Sequence, residues 1–170
     1  MNESLPFGEK MTPKWQPIEA GSRPDGESLW KLHSEFNGLP EDHTSVREED
    51  LQRYSEKEGL ILRKGGEAVG YVTFRIWPNA WIGETEQAPL LYVKELYVRE
   101  SSRTAAVTIS FIKALREVAQ LNGSKYLGWT TGSDIMVDLS RRMGLDARDM
   151  GEMWIVPIGQ LDIGKLAGRI

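Results

Sequence analysis

The stretch LYVKELYVRESSRTAAVTISFIKAL, residues 91–115, changes its pattern in the middle. Its first part is rich in Val, Leu and Tyr and belongs to a predicted strand over residues 90–98. Its last part places apolar residues three and four apart, which predicts an amphipathic helix over residues 104–123. A strand that leads directly into a helix is a common way to hold an anion, because the first helical N–H groups have no partners within the helix.

The composition is that of a globular domain and excludes several kinds of site. The chain has 170 residues, 40% hydrophobic and 27% charged, which is enough for one domain with a full core. It has no cysteine, which excludes disulfides, thiolate metal sites and a cysteine nucleophile and favours a reducing compartment. The net charge of −4 without a basic cluster gives no indication of a nucleic-acid partner. No apolar run approaches the roughly 18 residues of a membrane span, and no signal-peptide core is present, so we expect a cytoplasmic protein with no membrane partner.

The rest of the chain reads as one domain between two extensions. We expect a flexible tail over residues 1–14, a domain over residues 15–158 and a C-terminal extension over residues 159–170. Within the domain, hydrophobic periodicity and turn residues predict a strand over 15–20 with Pro17 at a sheet edge, helices over 25–36 and 47–57, a hairpin whose Gly-Gly turn joins strands 59–64 and 68–77, a polar loop over 79–89 after the strand closes at Pro78, a strand over 125–131, a helix over 133–144 and a strand over 152–158.

This order of elements over residues 15–158 resembles the GNAT superfamily of N-acetyltransferases. The fourth strand of that family ends Leu-x-Val, here Leu96 to Val98, and five residues later the family has a Gln/Arg-x-x-Gly-x-Gly/Ala turn, here RTAAVT from Arg103. The resemblance implies an α/β fold with a mixed, mostly antiparallel sheet, flanked by helices and splayed between the fourth and fifth strands. It also implies acetyl-CoA as the co-substrate.

The resemblance further implies that backbone N–H groups of this turn hold the pyrophosphate of coenzyme A. Ala106 and Thr108 occupy the two glycine positions, where glycine lets a phosphate approach without meeting a Cβ. Alanine adds one methyl group, and threonine is bulkier but carries a hydroxyl that can donate to phosphate. The cofactor-binding residues expected from the resemblance are Leu96, Val98, Arg103, Thr104, Ala105, Ala106, Val107, Thr108 and Ser133. The alternative interpretation is a plain strand-to-helix connection capped by Ser101, Ser102 or Thr104.

A second block, SDIMVDLSRRMGL over residues 133–145, has the spacing of the family's Asn-x-x-Ala-x-x-x-Tyr-x-x-x-Gly-Phe. Ser133 stands at the Asn position, which faces the cofactor in the family. Ser140 stands at the Tyr position, where the family's Tyr often protonates the departing thiolate of coenzyme A. Serine reaches less far than tyrosine, and the alternative interpretation of Ser140 is an ordinary helix serine.

The candidate base is Glu95. An amine must be neutral to attack a thioester, so the reaction needs a carboxylate that takes its proton, usually through water. Polyamine-type acetyltransferases often carry an acidic pair just before the Leu-x-Val ending. Here the two positions hold Lys94 and Glu95, of which only Glu95 can act as a base. Strand alternation places Glu95 on one face with Val93 and Tyr97, but the sequence does not say which face opens on a cleft. The alternative is a solvated glutamate paired with Lys94 or Arg99.

These patterns lead to one expected activity and one alternative. With two histidines far apart in sequence and no cysteine, no metal site is expected. The expected activity is acetyl transfer from acetyl-CoA to a primary amine, on a small molecule or a protein, by direct attack. The alternative is a catalytically inactive GNAT-fold binding or structural module, which the departures at Ala106, Thr108 and Ser140 favour. In that case the segments 1–14 and 159–170 are candidate arms of a homo-oligomer.

Overall fold

The computed structural model describes residues 12–39, 48–130, 141, 148–149, 153–161 and 164. Its main elements, in chain order, are β1 (Lys14–Pro17), α1 (Arg23–Phe36), α2 (Glu48–Ser55), β2 (Gly59–Lys64), β3 (Glu67–Ile82), β4 (Glu86–Val98), α3 (Ala105–Leu121), β5 (Tyr126–Thr130), β6 (Arg148–Asp149) and β7 (Met153–Pro157). Short 3₁₀ turns occupy Glu100–Ser102 and Ile158–Gln160. In the described part of the chain, no helix is both long enough and apolar enough to cross a membrane.

The strands form one sheet in the order β1-β2-β3-β4-β5-β7-β6. The pairing of β4 with β5 is parallel, whereas the β1–β2, β2–β3, β5–β7 and β6–β7 pairs are antiparallel. Helices accompany this mixed, mostly antiparallel sheet, so the predicted α/β class is confirmed. The predicted helix over 133–144 lies outside the described residues except for Arg141, which is helical.

By its internal contacts the chain divides into two compact units, Met1–Thr73 with Glu95–Arg103, and Phe74–Lys94 with Thr104–Ile170. In the first unit, α1 and α2 accompany β1, β2 and the first half of β3. The side chains of Leu29, Leu32, Ile61 and Tyr71 form its core cluster. β1 is the outermost strand of the sheet and pairs with β2 on one side only, so the N–H group that Pro17 lacks is not needed on the other side. The predicted edge position of Pro17 is confirmed.

The α1 helix begins two residues before the predicted start at residue 25. The Ser22 hydroxyl accepts a hydrogen bond from the Asp25 amide at 3.3 Å, and Pro24 stands in the first turn. Both features favour a helix start, because Ser satisfies an unpartnered N–H and Pro has none to satisfy. The predicted stripe is buried at Leu29 and Leu32, but Phe36 at the helix end is 47% exposed.

The hairpin between β2 and β3 turns through two glycines, as predicted. Gly65 has φ 58° and Gly66 has φ 85°. A two-residue turn with positive φ at both positions matches the twist of the flanking strands, and glycine adopts it without steric cost.

The prediction for the next hairpin is wrong. β3 continues through Pro78 to Ile82, and β4 begins at Glu86, so the expected polar loop over 79–89 is mostly strand. The reason is burial: Ala80, Ile82, Ala88 and Leu90 share one apolar cluster with Ile155. Removing these side chains from water outweighs the single ladder donor that proline lacks.

The second unit holds the parallel pair and α3. Leu90–Val93 of β4 lie in register with Tyr126–Trp129 of β5, and β4 then runs on to Val98. The described β5 ends at Thr130, so the splay between the fourth and fifth strands that the resemblance implied stays a prediction. The α3 helix buries Val107, Phe111 and Leu115, as its spacing predicted, but Leu121 is 87% exposed, because it is the last helical residue. The helix stops where predicted, at Gly123 with φ 66°.

Gly26 provides a test of the packing of α1 on α2. A Cβ built at Gly26 would overlap the backbone carbonyl of Leu51 in α2. Replacement by alanine improves helix propensity by up to about 1 kcal/mol, whereas forced repacking costs about 1–3 kcal/mol. We therefore expect Gly26→Ala to lower Tm by a few degrees, at about 2–4 °C per kcal/mol for a chain of this size.

The control is Gly159→Ala, since a Cβ at Gly159 meets nothing within 4 Å and its φ is not in the left-handed region. Differential scanning calorimetry of the three proteins decides between packing and generic glycine effects. Equal Tm values for Gly26→Ala and wild type would contradict the close helix approach.

Candidate functional site

One face of β4 turns towards α1. Glu95 and Tyr97 of β4 alternate with Arg99, the first residue beyond its end at Val98, so the three side chains share this face. All three contact α1, through His33 for Glu95 and through Glu35 for Tyr97 and Arg99. The face that the sequence left open is therefore the α1 face.

The Glu95 carboxylate receives a hydrogen bond from a buried tyrosine. Tyr71 of β3, which is 1% exposed, donates its hydroxyl to Glu95 Oε2 at 3.2 Å. Burial, and after it the negative charge and hydrogen bond of Glu95, raise the pKa of the Tyr71 hydroxyl well above its ordinary value. Tyr71 therefore remains protonated across the accessible pH range and acts as a permanent donor to the carboxylate.

The imidazole of His33 lies on the same carboxylate oxygen. Its Nδ1 is 3.4 Å from Glu95 Oε2 and 3.3 Å from the Tyr71 hydroxyl. The side chain of Glu95 is 31% exposed and that of His33 is 25% exposed, so solvent-borne molecules can reach the pair. In the part of the chain that the structure describes, no lysine or arginine forms an ion pair with Glu95.

Arg99 is engaged elsewhere. Its Nη2 and Nε contact the two carboxylate oxygens of Glu35 at 2.6 and 2.9 Å, and its Nη1 contacts Glu67 at 2.6 Å. The hydrogen bonds from Arg99 hold the pKa of Glu35 below its ordinary value. The alternative interpretation, in which Arg99 pairs with Glu95, is therefore not what the structure has.

The N-terminus of α3 is capped by a threonine of the turn. The Thr104 hydroxyl accepts from the Val107 amide at 3.2 Å, and the Thr108 amide and hydroxyl both donate to the Thr104 carbonyl, at 3.0 and 3.1 Å. The amides of Ala105 and Ala106 have no hydrogen-bond partner among the described residues, and both residues are exposed. Two N–H groups at this helix end are therefore open to an anion.

The remaining candidate residues fall into two groups. Leu96 and Val98 are partly buried on β4, and exposed Arg103 donates its Nε to the Val98 carbonyl at 2.7 Å. That bond leaves the two terminal nitrogens of Arg103 without a partner among the described residues. Ser133 and Ser140 lie outside the residues that the structure describes.

Two residues of this site were not identified from the sequence. Tyr71 looked like any aromatic residue of a predicted strand, and His33 was weighed only as a metal ligand. The available signal was weak: His33 borders the Leu29 and Leu32 stripe, and an asparagine follows one helical turn later. Pairing with Glu95, 62 positions away, depends on tertiary structure that no local pattern reports.

Comparison with known proteins agrees with this fold. No protein-family model and no curated protein sequence matches the chain. Among solved structures, the chain is similar to the aminoglycoside acetyltransferase meta-AAC0020 from an uncultured soil metagenomic sample, in complex with trehalose, with a TM-score of 0.62 at 15% identity over 82% of this chain and 91% of that one. It is also similar to the aminoglycoside N-acetyltransferase AAC(6')-Iy in complex with CoA, with a TM-score of 0.57 at 14% identity over 82% and 89%.

An acetyltransferase of the GNAT family from Streptococcus pneumoniae gives a TM-score of 0.55 at 13% identity over 86% of this chain and 99% of that one. Identities this low show the fold alone. The chain therefore has the fold of GNAT N-acetyltransferases, which the sequence resemblance had implied.

The Arg99–Glu35 pair makes stability depend on pH. Because the pKa of Glu35 is lowered in the folded state, its contribution is fully present above its ordinary value of 4.5 and is lost as the pH falls through the folded value. Glu35→Gln should therefore lower the free energy of unfolding by about 1–2 kcal/mol near neutral pH, and the difference should shrink below about pH 4. Urea denaturation at both pH values measures it.

Glu27→Gln is the matched control, because Glu27 pairs with Arg23 on the same helix but both side chains are more than half exposed. Such a pair contributes about 0.2–1 kcal/mol or less. A Glu35→Gln effect as small as the control, or one that persists in acid, would contradict the proposed linkage.

Proposed function

We propose that the protein is an N-acetyltransferase that moves an acetyl group from acetyl-CoA to a primary amine by direct attack. The observation that carries the proposal is Glu95, a partly exposed carboxylate on β4 that accepts a hydrogen bond from the Tyr71 hydroxyl and has no described lysine or arginine partner. It lies two residues beyond Val93, where the register of β4 with β5 ends. The GNAT fold is the context that makes this carboxylate a candidate base.

Glu95 serves two steps of this reaction. A protonated amine cannot attack, since its lone pair is occupied, so a base must remove one proton first. An anionic carboxylate without a fixed cation attracts the ammonium form, and then takes its proton through water. Tyr71 donates to the carboxylate at every accessible pH and so holds it without competing for the amine's proton.

The proposed acetyl-CoA contacts are those of the turn and of α3. The amides of Ala105 and Ala106, for which the described residues provide no acceptor, fit a phosphate oxygen, and the Arg103 guanidinium, which precedes the Thr104 cap in the chain, supplies a positive charge. Leu96 and Val98 are the residues of β4 proposed to line the cofactor's thioester arm. Thr108 contributes no donor here, because its hydroxyl hydrogen is directed to the Thr104 carbonyl.

The step balances without a covalent enzyme intermediate. The amine nitrogen forms a bond to the acetyl carbon as the carbon–sulfur bond breaks, the amine's proton passes to Glu95, and the thiolate leaves and is protonated. The sequence has no cysteine to form a thioester with the chain, which agrees with direct attack. Ser140 remains the proposed donor to the thiolate. We propose that the protein acts in the cytoplasm, where acetyl-CoA is available and where a chain without cysteine suits the reducing conditions.

The acceptor follows from the charge at Glu95. We propose a cationic primary amine, because a neutral acceptor would gain no electrostatic attraction from the negative charge of the Glu95 carboxylate. The neighbours that act on aminoglycosides, which carry several amines, support this chemical class. The second candidate, an inactive module of the same fold, is favoured by the side chains of Ala106 and Thr108 on the first turns of α3.

The cofactor contacts lead to a binding prediction. Acetyl-CoA should raise Tm, because a ligand that binds only the folded state stabilises it, by about 2.7 kcal/mol at a hundredfold excess over Kd. That corresponds to about 5–10 °C for a chain of this size. Desulfo-CoA should do nearly as well, since the phosphates carry the affinity, and Ala106→Gly should increase the shift by removing a methyl group beside the open amides. No shift with millimolar acetyl-CoA would favour the module.

A second prediction tests the base. Glu95→Gln should slow acetylation of diamines by about 10²- to 10⁴-fold while the acetyl-CoA shift stays as in wild type. The loss should shrink at high pH, where more of the amine is already neutral. Thiol release measures the rate, and Glu117→Gln, exposed on α3, is the control. A Glu95→Gln enzyme with the wild-type rate would remove Glu95 from the mechanism.

A further inference from the structure

The hydrogen-bond pattern around His33 is directional. Beyond the imidazole, on the side away from Glu95, lies Asn37, the residue that caps the C-terminus of α1. The Asn37 side-chain nitrogen is 2.7 Å from the His33 backbone carbonyl oxygen and 3.2 Å from His33 Nε2. His33 thus has one partner on each ring nitrogen, Asn37 on Nε2 and the Glu95–Tyr71 pair on Nδ1.

The backbone carbonyl settles which end of the Asn37 amide faces the ring. A carbonyl oxygen only accepts, so the Asn37 atom at 2.7 Å from it is the NH₂ group; the amide oxygen at that distance would repel it. The second hydrogen of this NH₂ group points to His33 Nε2. An NH₂ group cannot accept, and therefore Nε2 is the unprotonated nitrogen of a neutral ring and Nδ1 carries the hydrogen.

The Nδ1–H group then has two acceptors within reach. It lies 3.3 Å from the Tyr71 oxygen and 3.4 Å from Glu95 Oε2, the oxygen to which Tyr71 donates at 3.2 Å. Because the Tyr71 hydroxyl donates to Oε2, its oxygen is left to accept from Nδ1–H, so the hydrogen bonds run from His33 to Tyr71 and from Tyr71 to Oε2. The other oxygen, Oε1, has no partner among the described residues.

We propose that Asn37 and His33 are positioning residues for Glu95: Asn37 fixes His33 as the Nδ1–H tautomer, that hydrogen is donated to the Tyr71 oxygen, and the Tyr71 hydroxyl so held anchors Oε2 and leaves Oε1 to receive the amine's proton. The inference rests on the proposed acetyl transfer. Neither residue touches the reacting atoms. Their effect is on the orientation of the carboxylate, and a misplacement of about 1 Å can cost on the order of 10²-fold in rate.

The other described groups around His33 do not contact its Nε2, so the Asn37 amide determines which tautomer the ring adopts. The Tyr54 ring of α2 lies 5.6 Å from the His33 ring and packs against it, and the Lys57 ammonium lies over the Tyr54 ring, 4.5 Å from its centroid. On β4, the Tyr97 ring is 6.3 Å from Tyr71. Glu35, the nearest acid on α1 itself, is held by Arg99.

The first arm of the test reads the tautomer directly and needs no activity. In the full chain labelled with ¹⁵N-histidine, the two ring nitrogens of a neutral histidine have well-separated chemical shifts, and His33→Asn assigns the His33 signals against those of His43. We expect the Nδ1–H form near neutral pH, and Asn37→Leu should turn it into a mixture of both tautomers. An Nε2–H form in wild type, or a spectrum that Asn37→Leu leaves unchanged, overturns the inference.

The second arm reads the rate. His33→Leu should lower kcat for amine acetylation by about 10- to 100-fold with an unchanged acetyl-CoA shift, whereas His33→Asn should recover most of the rate, because its amide N–H reaches about the position of Nδ1. Equal loss in both variants would assign His33 to packing alone and overturn its role. Asn37→Leu should cost about tenfold.

The chain offers a matched control for Asn37. Asn122 caps α3 in the same way, with its side-chain nitrogen 2.8 Å from the Val118 carbonyl, and among the described residues no histidine is hydrogen-bonded to it. Asn122→Leu should lose a comparable cap bond and keep the wild-type kcat. A rate loss as large as that of Asn37→Leu would mean that helix fraying, not the tautomer, explains both.

The two proposals fail in different ways. A wild type that acetylates no amine but shows the Nδ1–H tautomer and its dependence on Asn37 overturns the proposed function, and with it the catalytic use of this arrangement. An active wild type with the wrong tautomer, or with a His33→Leu rate equal to wild type, overturns only the positioning role.

Discussion

The ion pair between Arg99 and Glu35 holds α1 on β4, and the arrangement around Glu95 depends on it. Both carboxylate oxygens of Glu35 are engaged by one guanidinium, which restricts the position and the rotation of the helix. Helix positions 33 and 35 lie on opposite flanks of the stripe that buries Leu29 and Leu32. Glu95 of β4 and Arg99, one residue past the end of that strand, lie on one face about 13 Å apart. A helix tied at Glu35 to Arg99 can therefore bring His33, on its other flank, to Glu95.

The same ion pair also keeps the Arg99 guanidinium from pairing with the Glu95 carboxylate. Arg99 is four residues from Glu95 on the same strand face, yet its three donor nitrogens are directed to Glu35 and Glu67. Had Arg99 turned to Glu95, a bidentate bond would have occupied the carboxylate and opposed its protonation. Instead the Tyr71 hydroxyl, which His33 Nδ1 contacts, donates to one oxygen of Glu95. A neutral donor orients the carboxylate without placing a fixed positive charge beside it.

The sequence predicted the elements that local physics decides. Strand alternation placed Glu95 and Tyr97 together, the Gly-Gly turn set the β2–β3 hairpin, and Gly123 ended α3. It did not predict what distant burial decides. β3 continues past Pro78 because Ala80 and its neighbours enter an apolar cluster that also contains Ile155, far along the chain.

The site divides along the same line. A carboxylate before Leu-x-Val can be found by reading the strand, and so can a threonine cap at the start of α3. The partners of that carboxylate cannot, because His33 and Tyr71 reach it only after α1 has packed on the sheet. The role of Asn37 is even harder to predict from the sequence, since it depends on the orientation of its side-chain amide towards His33.

Ala106 and Thr108, at the family's two glycine positions, affect the room available to a bound phosphate rather than the backbone conformation of the turn. Among the described residues, every positive φ belongs to a glycine, and none lies in the turn at Ala106 or Thr108. The backbone there is thus one that alanine and threonine adopt without strain. Thr108 folds its hydroxyl back on the Thr104 carbonyl of its own helix, which places its polar atom away from the open amides. The remaining effect of the missing glycines is the exposed methyl group of Ala106, next to two amides without a hydrogen-bond partner in the part of the chain that the structure describes. The cost to a bound phosphate is therefore one of close approach and not of a missing turn.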